Sequence, residues 1–248
     1  MLDDILRLKN NVESLSETDR ALLAKLNLPE GHGSYSDEMS FIKKRIEHSH
    51  CIESKDSGNR LIMPFLSFLN HDKTGVPFKK GNENYGSGFC FTGRFDGEAF
   101  ALYNHSDPLA VFMSYGFVAD TRFVYSLPMA MQVSKHLSLR IERNIASASI
   151  DNNGNRWPTL RKEGSSLTVS WVPLYCEEKT VYPAIIMMNI AKHLGVSGEQ
   201  LLYMLVRQNL SVLVPAAFQL SDSGNAYCRL VSECARKQLE LIAQPLTP

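Results

Sequence analysis

The sequence predicts an α+β fold, and three patterns along its 248 residues indicate this class. Apolar residues recur at helical spacing over residues 2–27. Short apolar runs bounded by Gly, Asn and Pro, which are typical of short strands, occupy residues 60–103. Helical patterns then dominate the second half of the chain. We therefore expect two domains: residues 1–125, with helices followed by small sheets, and residues 126–248, which are mostly helical.

The N-terminal elements are predicted from apolar spacing and from helix-start residues. Two helices are expected within residues 2–27, and Ser16 marks the start of the second because it precedes two acidic residues. Another helix is expected over residues 36–48. Residues 60–69 indicate a short buried strand, and the Gly, Asn, Lys and Pro content of residues 72–86 indicates a loop.

The next elements are two short strands and one short helix. Strands are predicted near residues 87–95 and 97–103, with Asp96-Gly97 between them as a two-residue hairpin turn. A polar turn and Pro108 then precede a helical turn that ends near residue 114. This arrangement predicts small sheets in the first half of the chain.

The second half is predicted to open with one long helix over residues 126–150, because apolar residues recur four apart there. These residues are Met129, Val133, Leu137 and Ile141. Alternating apolar and polar residues at 167–172 predict a strand. Three further helices are expected over residues 181–194, 197–215 and 223–243.

Composition is that of an ordinary globular protein without a charge bias. Lys plus Arg and Asp plus Glu both number 26, which gives no electrostatic basis for broad nucleic-acid binding. The apolar runs are shorter than the roughly 18 residues that span a bilayer, and the acidic start lacks signal-peptide character. Five cysteines without a CxxC pair indicate reduced thiols. We expect a cytoplasmic protein that binds neither nucleic acid nor membrane, and its oligomeric state stays open.

The most informative feature is Asn70-His71, which follows the apolar run at residues 61–69. A strand that ends at an amide and an imidazole places two hydrogen-bonding side chains at the rim of a core, where a polar cofactor could bind. The alternative is a strand that ends in an Asx-type turn, since Asn favours turns. His48, His50 and Cys51 are weak candidates for a metal site because no fourth ligand is suitably spaced, and we predict no metal centre.

A second element follows Asn70-His71 at a family-like distance. Gly97-Glu98 leads to Tyr103, and residues 115–118 have the sequence Tyr-Gly-Phe-Val. Together these elements resemble SET-domain methyltransferases, and most closely the rubisco large-subunit lysine methyltransferase subgroup, which includes the actin-histidine methyltransferases. The resemblance implies short sheets with a knot-like crossing, in which Asn70-His71 lies against the segment from Tyr103 to Phe117. It also implies a helical domain after the SET fold that holds the protein substrate.

The resemblance implies a role for seven residues of this sequence. The active-site tyrosine would be Tyr103. S-adenosylmethionine would be held by Asn70, His71 and Lys55. The substrate channel would be lined by Tyr115, Phe117 and Tyr85. A narrow aromatic channel suits a lysine stem and favours the neutral amine by desolvation.

Three departures from the family pattern bear on these roles. Lys55 stands where the family has an arginine, and a lysine cannot form a bidentate fork. Ser67 replaces an acidic residue before Asn-His. Gly31-His32-Gly33 lies in a Pro-containing loop and does not match the family's Gly-x-Gly strand, so the N-terminal part of the SET fold is expected to be missing or rebuilt.

The functional expectation is methyl transfer from S-adenosylmethionine to a lysine side chain of a protein substrate. Three alternatives stay open. The acceptor could be histidine. The chain could be a SET-derived interaction module without catalysis. It could also be an unrelated α+β domain in which the motif matches are accidental.

Overall fold

The structure, a computed structural model, describes residues 2–28, 40, 51–53, 60–62, 70–77, 79–80, 89–90, 100–102, 106–144, 147–177 and 181–244. Within these ranges the chain is a mixture of helices and short sheets, which confirms the predicted α+β class. The predicted helix over residues 36–48 and the predicted turn at Asp96-Gly97 lie outside the described residues, apart from Ser40.

The helices of the described residues fall at the two ends of the chain and once in its middle. They are α1 (Leu2–Glu13), α2 (Glu17–Lys25), α3 (Pro108–Tyr115), α4 (Pro183–Leu194), α5 (Gly198–Gln219) and α6 (Ala226–Ile242). The break between the first two helices and the three C-terminal helices agree closely with the sequence prediction.

The strands of the described residues are short. They are β1 (Cys51–Glu53), β2 (Arg60–Ile62), β3 (Asn70–Pro77), β4 (Lys79–Lys80), β5 (Phe89–Cys90), β6 (Phe100–Leu102), β7 (Phe123–Tyr125), β8 (Met129–Ser134), β9 (Leu137–Ile141), β10 (Ser149–Ile150), β11 (Arg156–Trp157), β12 (Leu160–Glu163), β13 (Ser166–Val169) and β14 (Pro173–Cys176).

The pairing of these strands gives one four-stranded sheet, in the order β12-β13-β9-β8, and several two-stranded ones. Most described pairs are antiparallel, as expected for neighbouring strands joined by short turns. Two pairs, β13 with β9 and β3 with β6, are parallel and therefore join strands that are distant in sequence. The second parallel pair positions the candidate site.

Local side chains set where the helices begin and end. Ser16 and Ser197 each accept a hydrogen bond from the backbone N–H three residues ahead, at 3.1 and 3.0 Å, and so cap α2 and α5. Asn225 caps α6 through the N–H of Tyr227. Gly195 ends α4 in the left-handed conformation that glycine adopts without steric cost.

Two apolar cores hold these elements together. One core packs the four-stranded sheet, β7 and β14 against α4 and the first half of α5, and includes Trp171 and Ile190. The other core contains α1, α2, α3, α6 and the second half of α5. It joins Leu23, near the N-terminus, to Leu213 and Val231, so it draws on both sides of the domain boundary predicted at residue 125.

Two predicted elements are wrong. The expected long helix over residues 126–150 is the hairpin β8–β9 followed by β10, so the segment is not helical. The "mostly helical" second half accordingly begins with strands, and its helices start only at Pro183. The loop expected over residues 72–86 is the second error, because β3 continues to Pro77 and β4 occupies Lys79–Lys80.

Helix α5 is apolar enough, by length and composition, to cross a membrane, which no other helix of the described residues is. Its 22 residues include an 18-residue window with a mean hydropathy of 1.4. One third of that window is buried inside the protein, and the helix also carries Arg207 and Asn209. Its buried face supplies residues to both apolar cores.

Candidate functional site

Asn70 and His71 form the first two residues of β3, where they pair in parallel with β6. The register places Asn70 opposite Phe100 and His71 opposite Ala101. Asn70 is exposed and His71 is half-buried, so this pair lies at the rim of the protein rather than inside a core. Tyr103 follows the last residue of β6 in the sequence but lies outside the described residues.

After His71, strand β3 makes an excursion and returns to the same partner. Both His71 and Val76 pair with Ala101, and the four residues between them form the irregularity. Within it, the Asp72 carboxylate accepts hydrogen bonds from the backbone N–H and the hydroxyl of Thr74, at 2.6 and 2.5 Å. These bonds, the hydroxyl bond most of all, lower the pKa of Asp72 and hold the excursion in an Asx-type turn.

The return of β3 depends on Gly75. A Cβ atom at Gly75 would lie 2.6 Å from the carbonyl carbon of Ala101 and 2.8 Å from the backbone nitrogen of Leu102. Only glycine lets the two backbones approach this closely. Gly75 therefore keeps β3 against β6 beside the Asn70-His71 pair.

Helix α3 brings two aromatic residues to the same place. Its last residue is Tyr115, and Gly116 ends it in the left-handed conformation at φ 82°, with its N–H bonded to the carbonyl of Phe112. The ring centroids of Phe117 and His71 then lie 6.2 Å apart, tilted by 43°. The rings of Tyr115 and Phe117 lie 6.1 Å apart, tilted by 35°. We call His71, Tyr115 and Phe117 the ring cluster.

The second apolar core keeps α3 in position. Leu109 and Phe112 are fully buried in it, and the ring of Phe112 lies 5.2 Å from the ring of Tyr227 on α6. Tilted aromatic pairs at this separation are attractive beyond the area they bury. The C-terminal helix therefore supports the helix that carries Tyr115.

Asp120 connects the ring cluster to α6. Nε2 of His71 lies 3.3 Å from the backbone carbonyl oxygen of Asp120, so this nitrogen carries the proton and donates. The Asp120 carboxylate accepts a hydrogen bond from Nζ of Lys237 at 2.5 Å. Sequence reasoning missed both residues: Asp120 lies only three residues after Phe117, but no sequence pattern relates Lys237 to them.

The structure describes four of the seven predicted site residues. Asn70, His71, Tyr115 and Phe117 lie in described segments, and the last three meet in the ring cluster. His71 and Phe117 thus lie close together, whereas the knot-like crossing of their segments stays a prediction. Lys55, Tyr85 and Tyr103 lie outside the described residues, so their roles stay predictions.

The chemistry available at this place is recognition of a planar polar group. The ring cluster offers aromatic faces, and Asn70, which precedes His71 on β3, carries an amide that is both a hydrogen-bond donor and an acceptor. The described part of the chain contains no group of three or more His, Cys, Asp or Glu residues placed to hold a metal ion.

Comparison with known proteins gave no match, either to a family model, to a curated protein or to a solved structure. The SET resemblance therefore depends on the short sequence motifs alone.

Proposed function

We propose that this chain is an S-adenosylmethionine-dependent methyltransferase of the SET type that acts on a lysine side chain of a protein substrate. The supporting observation is the contact between His71 and Phe117. Each residue belongs to a different SET-like sequence element, and an accidental match of two short motifs gives no reason for the two elements to meet in space.

The residues at this place suit the cofactor. The adenosyl group presents a flat heterocycle with a polar edge, for which aromatic faces and an amide are suitable partners. Asn70 would bind the polar edge, and His71 and Phe117 would supply the aromatic surface. When bound, S-adenosylmethionine supplies an electrophilic methyl group on its sulfonium.

The protein's own contribution would be alignment and exclusion of water. Tyr115 and Phe117 would form part of an apolar channel, together with Tyr85 and Tyr103 by resemblance. Such a channel lowers the pKa of an entering lysine amine by desolvation, so that a neutral nitrogen faces the methyl group without a dedicated base. The helices after residue 181 would hold the substrate protein.

The first test is calorimetric titration with S-adenosylhomocysteine. We expect binding in the range of about 1 to 100 μM for the wild-type chain. Asn70→Ala should abolish it, whereas Asn152→Ala, a control at an exposed turn, should leave it unchanged. Tyr103→Phe should largely keep cofactor binding, as should its control Tyr203→Phe. Absence of binding by a folded wild-type sample would overturn the methyltransferase proposal and favour the interaction module.

The second test identifies the acceptor atom. Incubation of a cell extract with S-adenosylmethionine carrying a labelled methyl group, followed by peptide mass spectrometry, should show methyllysine that is lost with Tyr103→Phe. Methylhistidine in place of methyllysine would identify a histidine methyltransferase. Cofactor binding without any labelled product would contradict catalysis.

A further inference from the structure

Within the part of the chain that the structure describes, Asp120 contacts both His71 and α6. Asp120 contacts His71 through its backbone carbonyl oxygen, at 3.3 Å, and Lys237 through its side chain, at 2.5 Å. The two contacts use different atoms of one residue. A change in the side-chain contact can therefore reach His71 by moving the Asp120 backbone.

Lys237 is a firm attachment point. Helix α6 buries Val231, Cys234 and Ala235 in the second core, so the backbone from which Lys237 projects is held in place. Asp120, in contrast, lies in the connection between α3 and β7 and has a side chain that is 67% exposed. The core therefore fixes the backbone of Lys237, whereas the connection that carries the Asp120 carbonyl oxygen can adjust its position.

We propose that Lys237 is a positioning residue for the cofactor site: its ion pair with Asp120 fixes the carbonyl oxygen that orients the His71 imidazole. The expected effect of Lys237 on cofactor binding rests on the proposed methyltransferase function. The orientation of the His71 imidazole by Lys237 does not depend on that function.

The charges around Lys237 keep the ion pair intact at neutral pH. The Asp120 hydrogen bond is the main cause of the raised pKa of Lys237, and Glu233 and Glu240 on the same helix act in the same direction. The Lys237 side chain is 27% exposed and that of Asp120 is 67% exposed, so salt screens the pair. Exposed ion pairs contribute about 0–1 kcal/mol to folding, and loss of this one should leave overall stability nearly unchanged.

The test compares Lys237→Met with Lys237→Arg. Lys237→Met should weaken S-adenosylhomocysteine binding about threefold to tenfold while the thermal midpoint stays within about 3 °C of wild type. Lys237→Arg, which keeps a cation, should restore most of the affinity. Arg236→Met is the matched control, because Arg236 is exposed and lines the same surface groove as Lys237.

A second measurement follows His71 directly. The nitrogen resonances of its imidazole, assigned with His71→Asn, should shift in Lys237→Met and in Asp120→Asn, and return toward wild type in Lys237→Arg. Asp120→Asn retains the backbone carbonyl but removes a negative charge, whereas Lys237→Met removes a positive one. Shifts of the same sign in both variants would therefore come from displacement, because a purely electrostatic effect would have opposite signs. The double variant Asp120→Asn/Lys237→Met should bind S-adenosylhomocysteine as well as the weaker of the two single variants, since both substitutions remove the same interaction.

The two proposals fail in different ways. If the wild-type chain does not bind S-adenosylhomocysteine, the proposed function is wrong, and the His71 resonances still decide the orientation claim. If the wild-type chain binds but Lys237→Met binds equally well with unshifted His71 resonances, the positioning role is wrong and the function stands. A loss of affinity in Arg236→Met equal to that in Lys237→Met would also overturn the positioning role.

Discussion

Asp107 and Arg143 form a buried ion pair at the start of α3. Nη2 of Arg143 lies 2.5 Å from Oδ1 of Asp107, and their side chains are 8% and 0% exposed. The same carboxylate caps the helix by accepting the N–H of Ala110 at 2.9 Å, and its other oxygen lies 3.4 Å from the backbone nitrogen of Tyr125. One carboxylate thus joins the end of β7 and the segment after β9 to the helix that leads into the ring cluster.

Arg143→Met should destabilise the protein strongly. It leaves the Asp107 carboxylate buried without its cationic partner, which typically costs about 3–5 kcal/mol in the free energy of unfolding. Urea denaturation measures this change. The control Arg161→Met breaks an exposed ion pair with Glu163 and should change the free energy by less than about 0.5 kcal/mol. Similar small losses in both variants would contradict the structural role of the buried pair.

Asn209→Leu should weaken the attachment of the segment after β7 to α5. The buried Asn209 amide accepts the N–H of Leu127 at 2.8 Å and donates to the Ser126 hydroxyl and to the Leu205 carbonyl. Leucine leaves the Leu127 N–H buried without this partner, at a cost of about 1–3 kcal/mol. Hydrogen exchange at the Leu127 amide should become faster than in wild type. Exchange at an unchanged rate would show that another group satisfies this N–H.

Tyr175→Phe should reduce the fall in the free energy of unfolding at alkaline pH. Burial, and then the hydrogen bond to Glu177, raises the pKa of Tyr175 to about 12 from its usual 10.0. Because the folded state holds the phenolic proton more tightly, this stabilisation is complete below pH 10 and is lost as the pH rises toward 12. Denaturation at several pH values measures it. Tyr203→Phe, at an exposed position, should retain the wild-type fall in stability, and an identical fall in Tyr175→Phe would refute the assignment.

The error in the second half of the chain has a specific physical origin. Met129, Val133, Leu137 and Ile141 are four apart, which matched a helical face. Strand β8 also has apolar residues at every second position, and its burial alternates accordingly. The turn between β8 and β9 comes at Lys135 and His136. Apolar residues spaced four apart fit both the helical period of about 3.6 residues and the strand period of 2. The residues between them therefore decide between a helix and a strand.

Some residues of the candidate site could be predicted from local sequence patterns, and others could not. Asn70, His71, Tyr115 and Phe117 could be selected because each belongs to a short motif with a fixed local spacing. Lys237 could not, since its contact with Asp120 exists only after α6 packs on α3. Long-range pairs of this kind depend on the whole core, and no local pattern in one sequence encodes them.

Gly75→Ala should disturb the candidate site more than its exposure suggests. The new Cβ atom would lie 2.6 Å from the Ala101 carbonyl carbon and 2.9 Å from the Asp72 carbonyl oxygen, both backbone atoms that cannot rotate away. Strands β3 and β6 must therefore separate, and such overpacking costs about 1–3 kcal/mol. The shift should displace His71 from Ala101 and weaken S-adenosylhomocysteine binding beyond the loss of stability.

Gly224→Ala is the matched control for this substitution, because a Cβ atom at Gly224 meets no other atom within 4 Å. We expect Gly224→Ala to keep both stability and cofactor affinity. Thermal denaturation and calorimetric titration of the two alanine variants measure the difference. If Gly75→Ala is as stable as Gly224→Ala and binds the cofactor equally well, the close approach of β3 to β6 does not support the site. Destabilisation with unchanged affinity would instead separate the strand pairing from cofactor recognition.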